Sequence, residues 1–209
     1  GTLDGPFLKQ VVEPCAESAL FISICPLSQG SVKRKESYEF VLRFFAYVDN
    51  YQGFTKEVGI FLSEYLLEQN KTADADQFKN QQSEFNQVLE FVKKHFPNGF
   101  RRTAKHNSVP RIRFEAIAVG VALALRVNPE LSPVDVTPWL ESEEFMKHTR
   151  SDASNSKPKV VNRIHFVRDN LLNRAVEYHA NTKVVEESAN ADAPTESSIQ
   201  AILRFDTVA

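Results

Sequence analysis

From Arg111 to Leu125 the chain reads RIRFEAIAVGVALAL, and once past Arg111, Arg113 and Glu115 in its first turns no strongly polar side chain interrupts it on any face. A helix that is apolar all round must be buried. It is fifteen residues long, shorter than the roughly 20 needed to cross a bilayer, so it must be buried by the rest of the chain. Ser108 is placed to cap its N-terminus, Pro110 suits the first turn, where a missing N–H costs nothing, and Asn128-Pro129 ends it. Gly120 forgoes about 1 kcal/mol of helix propensity, which points to a second helix crossing closely. Ala118, Val121, Ala122 and Leu125 are expected to be enclosed.

The stretches available to surround it repeat their apolar residues at helical spacing. A first helix starts at Asp4-Gly5-Pro6 and is ended or kinked by Pro14. LFISICP (Leu20 to Pro26) is too short for periodicity to decide between a strand and a helical turn, and it reads as helical because nothing else offers a partner strand. Phe40, Val41, Phe44, Phe45, Tyr47 and Val48 form a wide face between Lys35 and Asn50. A helix opens at Phe54-Thr55, and another runs from Ala73 to His95. Further helices run from Pro138 to His148, begun at Thr137, and from Pro158 to about Ala180, with Val160, Ile164, Val167, Leu171 and Leu172 inward. No stretch alternates with period two for long enough to build a sheet. The expected fold is all-α: an irregular bundle of about seven helices around the buried central helix, spanning residues 1–180. From Asn181 the composition turns to Glu, Ser, Ala, Asp, Asn and Pro, so residues 181–209 are expected to be a flexible acidic tail, whose SIQAILRF end can dock on a neighbour or stay solvated.

The chain opens GTLDGPF and its only methionine is Met146, so a piece of a longer protein is expected. Cys15 and Cys25 match no metal-ligand spacing and read as packing residues. With no signal peptide or membrane span in sight, the expected compartment is cytoplasmic.

A net charge of −2 conceals strong segregation. Residues 91–114 hold seven Lys/Arg and no acid, residues 147–168 hold six against Asp152 alone, and the rest of the chain stands at −14. Arg101, Arg102 and Lys105, with His106, lead into Arg111 and Arg113 at the start of the central helix, a pattern suited to phosphate binding. The alternative is that these arginines pair internally with acids such as Glu57, Glu64, Glu84 and Glu90. The loop Thr149 to Lys159, TRSDASNSKPK, places Arg150, Lys157 and Lys159 among hydroxyls and amides ahead of a helix. It suits a nucleic-acid backbone and equally suits plain capping and turning. Trp139 and Phe145, beside Glu141, Glu143 and Glu144, read as an anchor on the bundle. Of the five histidines none has ligand spacing, although His148 and His165 flank the polar loop and can approach in space. No P-loop, G-x-G-x-x-G, G-x-S-x-G or H-E-x-x-H motif occurs. Hence no catalytic residue, metal site or cofactor is expected in this chain.

EFVLRFFAY (Glu39 to Tyr47), NGFRRT (Asn98 to Thr103), RIRFEAIAVGVALAL and SDASNSKPKVVNRIHFV (Ser151 to Val167) stand in an order and spacing that resembles the helical C-terminal portion of the GmrSD-type restriction endonuclease N-terminal-domain family. The resemblance covers roughly residues 1 to 175. It implies a bacterial parent in restriction or anti-phage defence, whose ParB/sulfiredoxin-like nucleotide-hydrolysing half lies outside this sequence. That half is an implied partner, as is a nuclease domain or subunit of the His-Asn-His type. The Asp-Gly-Gln-Gln-Arg motif of that half does not occur here. The expected role is therefore an accessory portion that contacts DNA through Arg101, Arg102, Lys105, Arg111, Arg113, Arg150, Lys157 and Lys159, with a structural scaffold as the alternative and no membrane association.

Overall fold

The computed structural model describes residues 3–30, 35–55, 57–72, 74–131, 135–150 and 156–174. Among these, nine helices and no strand are found, so the all-α expectation holds. Helix α1 is a π-helical segment, Leu8–Val12, running straight into an α-helical one, Glu13–Ala16. Pro14 cannot donate to the Gln10 carbonyl as an α-helix requires. The chain widens into a π-turn just before it, and the Gln82 side-chain amide donates to that carbonyl at 2.5 Å. LFISICP does become a helix, α2 (Ala19–Ile24), opened by Ser18, whose hydroxyl accepts the Phe21 N–H.

Helix α3 (Glu36–Asn50) follows, then a 3-10 turn at Tyr51–Gly53, α4 (Val58–Thr72) and α5 (Ala75–His95), which Asp74 caps through the Gln77 N–H. The central helix, α6, spans Arg111–Val127, two residues beyond its expected end. Ser108 does not cap it. Pro110 occupies the N-cap position, no side chain caps the helix, and Ser108 is exposed in the preceding loop. The single short helix expected from Thr137 to His148 is two: α7 (Thr137–Leu140) and α8 (Glu143–Thr149). Ser142 separates them, its hydroxyl accepting the Phe145 N–H. Last comes α9 (Lys157–Leu171), closed by Asn173 in the left-handed conformation and shorter than the expected run to Ala180. The acidic tail lies outside the described residues.

Ala116 to Ala122 and Ala124 of α6 are enclosed, whereas Leu125 is only half-buried, because it lines an open groove between α5 and α6. Aromatic side chains fill the spaces around α6. Phe114 alone meets Phe21, Phe40 and Phe100 at ring-centroid distances of 6.0, 5.1 and 4.8 Å. The closest neighbour is α9. A Cβ built on Gly120 would lie 2.5 Å from the Cβ of Val167 and 3.0 Å from the Ile164 carbonyl oxygen, so only glycine admits α9 at this distance. Gly99 plays a similar part in the loop before α6. Its φ is +58°, the Ile24 carbonyl lies 2.6 Å from where its Cβ would be, and the next residue, Phe100, donates its N–H to that same carbonyl.

The pairings across α6 give the helix directions. Arg111 meets Glu36 and Glu39, Arg43 meets Glu115, and Arg126 reaches the Val48 carbonyl, so α3 and α6 run parallel. Arg163 meets Glu115 while Ile164 and Val167 lie on Gly120, so α9 runs parallel to both. By contrast, Glu84 meets Arg126 and the loop beyond α5 brings Phe100 to Phe114, which makes α5 antiparallel to α6. Three helices therefore begin at the same end of the bundle.

Candidate nucleic-acid interface

Charge is built into the centre of this fold. Glu115, fully buried, accepts Arg43 Nη1 on one carboxylate oxygen and Arg163 Nη2 at 2.8 Å on the other. Arg43 also binds Glu39 at 2.8 Å, and Arg111 completes the chain with Glu39 at 3.2 Å and Glu36 at 3.3 Å. Three carboxylates and three guanidiniums thus form a neutral network that ties α3, α6 and α9 together. Such a network is costly to bury and costlier to break, because each removed partner strands a charge. Burial works against the charge on Arg43, but Glu115 and Glu39 outweigh it and hold its pKa above the ordinary value. Burial raises the Tyr47 hydroxyl, with Glu115 adding to the effect.

The sequence marked Arg111 and Arg113 among eight contacts for DNA, and in the fold both are committed to the protein. Arg113 is fully enclosed, donating from Nε to the Phe100 carbonyl at 3.0 Å and from Nη2 to the Arg101 carbonyl at 3.3 Å and Glu141 at 3.0 Å. Arg111 is partly exposed and turned to Glu36 and Glu39. The internal partners are not those the sequence offered. Glu84 instead pairs with Arg126, and the acids that meet Arg111 are those of the first turn of α3. Sequence spacing could not have chosen among them, because each pair joins residues more than twenty positions apart.

The other six marked cations keep contact with solvent. Lys105, Arg150 and Lys157 are exposed; Arg101, Arg102 and Lys159 are half-buried. Arg101 steadies its own loop, donating to the carbonyls of Asn98 and Ala104 at 3.3 and 3.4 Å. The parallel course of α6 and α9 decides their grouping. Measured back from the contact at Gly120, at about 1.5 Å per residue, Arg111 and Lys157 both lie roughly 13 Å away along their helices. The loop carrying Arg101, Arg102 and Lys105 and the N-terminus carrying Lys157 and Lys159 therefore sit at one end of the bundle. Neither α6 nor α9 has an acid in its first turn. Cations there oppose the helix dipole, at about 0.3–1 kcal/mol each, unless an anion lies against them.

The remaining candidates resolve simply. Residues 151–155, Asp152 included, lie outside the described residues. The His148 ring lies 5.5 Å from that of Phe166, and His165 Nε2 meets the Tyr51 hydroxyl at 2.9 Å. Cys15 and Cys25 are buried free thiols, pushed up by desolvation, Cys15 to about 12 and Cys25 well above its ordinary value. Trp139 is a buried anchor, edge-on to Phe96 at 6.0 Å and to Phe145 at 5.8 Å. Among the described residues no group of three His, Cys, Asp or Glu is placed to hold a metal ion, and no helix is long and apolar enough to cross a membrane. Family models, curated proteins and solved structures were each compared with the chain, and none matches it.

Proposed function

We propose that this chain is a helical accessory domain that contacts the nucleic-acid backbone with the end of the bundle where α6 and α9 begin. The observation that carries this reading is the parallel packing of those helices, which gathers Arg101, Arg102, Lys105, Lys157 and Lys159 from two distant basic stretches. Clustered cations with solvent contact, beside helix N-termini that carry no acid in their own first turns, suit phosphate oxygens and carry no base readout, so the binding is expected to be largely independent of sequence. The resemblance carried by the four motifs supports a GmrSD-type defence protein as the parent, in which the domain would hold DNA against a nucleotide-hydrolysing partner. The cytoplasm is the compartment such a role requires. Titration of the protein with duplex and single-stranded DNA over a range of salt tests the reading. Affinity is expected to fall with salt with a log–log slope of about −0.9 per duplex phosphate neutralised, and the slope is expected to shrink when Arg101, Arg102 and Lys105 are replaced by Ala. No binding to either form at low salt would overturn it.

A second reading is favoured by the commitment of Arg111 and Arg113 to internal partners. In this reading the bundle is a scaffold on which a catalytic domain or partner subunit packs. The same triple variant separates the two, since a scaffold that binds through other faces would keep its partner while losing nothing measurable with DNA.

A further inference from the structure

Three buried donors near the start of α6 have no acceptor: Arg102 Nε, Arg113 Nη1 and Trp139 Nε1. Buried donors are nearly always paired with protein, water or an ion, and three orphans within one neighbourhood offer a bound acceptor three hydrogen bonds. They are neighbours because Phe145 and the backbone of Arg101 join them. The Arg113 guanidinium lies over the Phe145 ring at 5.2 Å, Trp139 packs edge-on against the same ring, and Arg113 Nη2 holds the Arg101 carbonyl next to Arg102. The charge is unbalanced there as well. Of the two guanidiniums, only Arg113 has a carboxylate, and that one, Glu141, is nearly half exposed. Burial lowers the Arg113 pKa, Glu141 opposes this, and the proximity of Arg102 lowers it further. The N-terminus of α6 beside it has neither a capping side chain nor an acid.

We propose that the corner bounded by Arg102, Arg113 and Trp139 at the start of α6 binds a phosphate group. Whereas a chloride would need all three donors to converge on one point, a tetrahedral oxyanion offers separate oxygens to the two guanidinium edges and the indole N–H. It would also balance the second guanidinium and lie against the positive end of the α6 dipole. Arg102, half-buried, and Glu141, nearly half exposed, are the members of the corner that reach solvent. The site does not depend on nucleic-acid binding, because a free phosphate has the same chemistry.

Trp139 is the only tryptophan of the chain, so its emission reports on this corner alone. Inorganic phosphate, titrated against sodium chloride at matched ionic strength, is expected to change that emission saturably and to raise the thermal midpoint, with chloride doing neither. Arg102→Ala is expected to weaken phosphate at least tenfold without lowering the midpoint in its absence, since it removes a like charge from beside Arg113. Arg102→Lys is expected to fall between, and Glu141→Gln to tighten binding. Competition identifies the source of the phosphate. Displacement by a DNA oligonucleotide with a 5′ hydroxyl assigns the site to backbone phosphodiesters. Displacement by a nucleoside monophosphate but not by that oligonucleotide assigns it to a terminal phosphate, separate from any backbone contact made by the neighbouring cations. If phosphate changes neither emission nor midpoint in the wild type, or if Arg102→Ala titrates identically to it, the proposal is wrong.

Discussion

Glu115 and Arg163 meet at 2.8 Å with both side chains wholly enclosed, and the same carboxylate holds Arg43 from the opposite helix. One acid thus joins three helices that start at the same end. Glu115→Ala leaves the buried Arg163 without its carboxylate and Arg43 with Glu39 alone, and is expected to cost about 3–5 kcal/mol, much of a typical 5–15 kcal/mol margin. Replacing Arg43, Glu115 and Arg163 together by Met, Leu and Met is expected to cost less than the single change, because no guanidinium is then stranded and Glu39, which loses Arg43, keeps Arg111 at 3.2 Å. Urea unfolding of the two variants measures the difference, and a triple variant less stable than Glu115→Ala would show that the network stabilises the fold beyond mutual neutralisation.

Gly120→Ala is expected to destabilise by about 1–3 kcal/mol, the usual cost of forcing an extra carbon into a packed contact. Val167→Ala should not restore the loss, since it keeps the Cβ that lies 2.5 Å from the new methyl carbon. Thermal unfolding of the single and double variants checks this. Rescue by Val167→Ala would mean that α9 yields at its side chains and not along its backbone.

Phe114→Ala should cost about 3–5 kcal/mol, because three other rings close on that side chain. Leu125→Ala should cost less than about 2 kcal/mol, below the usual range for an enclosed leucine, because Leu125 lines an open groove of about 760 Å³. Denaturation midpoints of the two variants rank them.

The arginines of one short stretch are expected to separate into two kinds. Arg101→Ala with Arg102→Ala should change stability by no more than about 0.5 kcal/mol per site while DNA affinity falls. Arg113→Ala should cost about 1.5–3 kcal/mol through its lost charged hydrogen bonds to Phe100, Arg101 and Glu141. Calorimetry paired with DNA titration distinguishes them. Equal stability losses in both variants would mean that Arg101 and Arg102 hold the loop in place.

His148, packed on Phe166, has its pKa lowered by burial, with Glu144 opposing and Lys147 and Arg163 adding to the effect. The unfolded chain therefore binds the proton more readily than the folded one. Stability from this group is fully present above the unfolded value of 6.5 and is lost as pH falls through that value towards the folded one. His148→Phe should flatten the decline in stability between pH 7 and about 5. An unchanged pH profile in that variant would assign the decline to other groups.

The sequence alone determined the helical class, the burial of α6 and the close crossing at Gly120. Each depends on local information: an unbroken apolar run, the absence of period-two alternation, and a glycine where propensity disfavours it. It also determined the segregation of charge. The tertiary structure alone decided what the charges do. Arg111 and Arg113 lie two residues apart in one helical turn, yet they point to different partners, Glu36 and Glu39 on α3 and Glu141 beyond α7. Helical spacing fixes the angle between two side chains on a helix but not what stands opposite each. Leu125 looked like Val121 in the sequence and proved half-exposed because α5 and α6 leave a groove at that level. The meeting of the two basic stretches at one end depends on α6 and α9 running in the same direction. Direction is set by long-range packing, here the fit of Val167 on Gly120 and of Arg163 on Glu115, which no local pattern in the chain encodes.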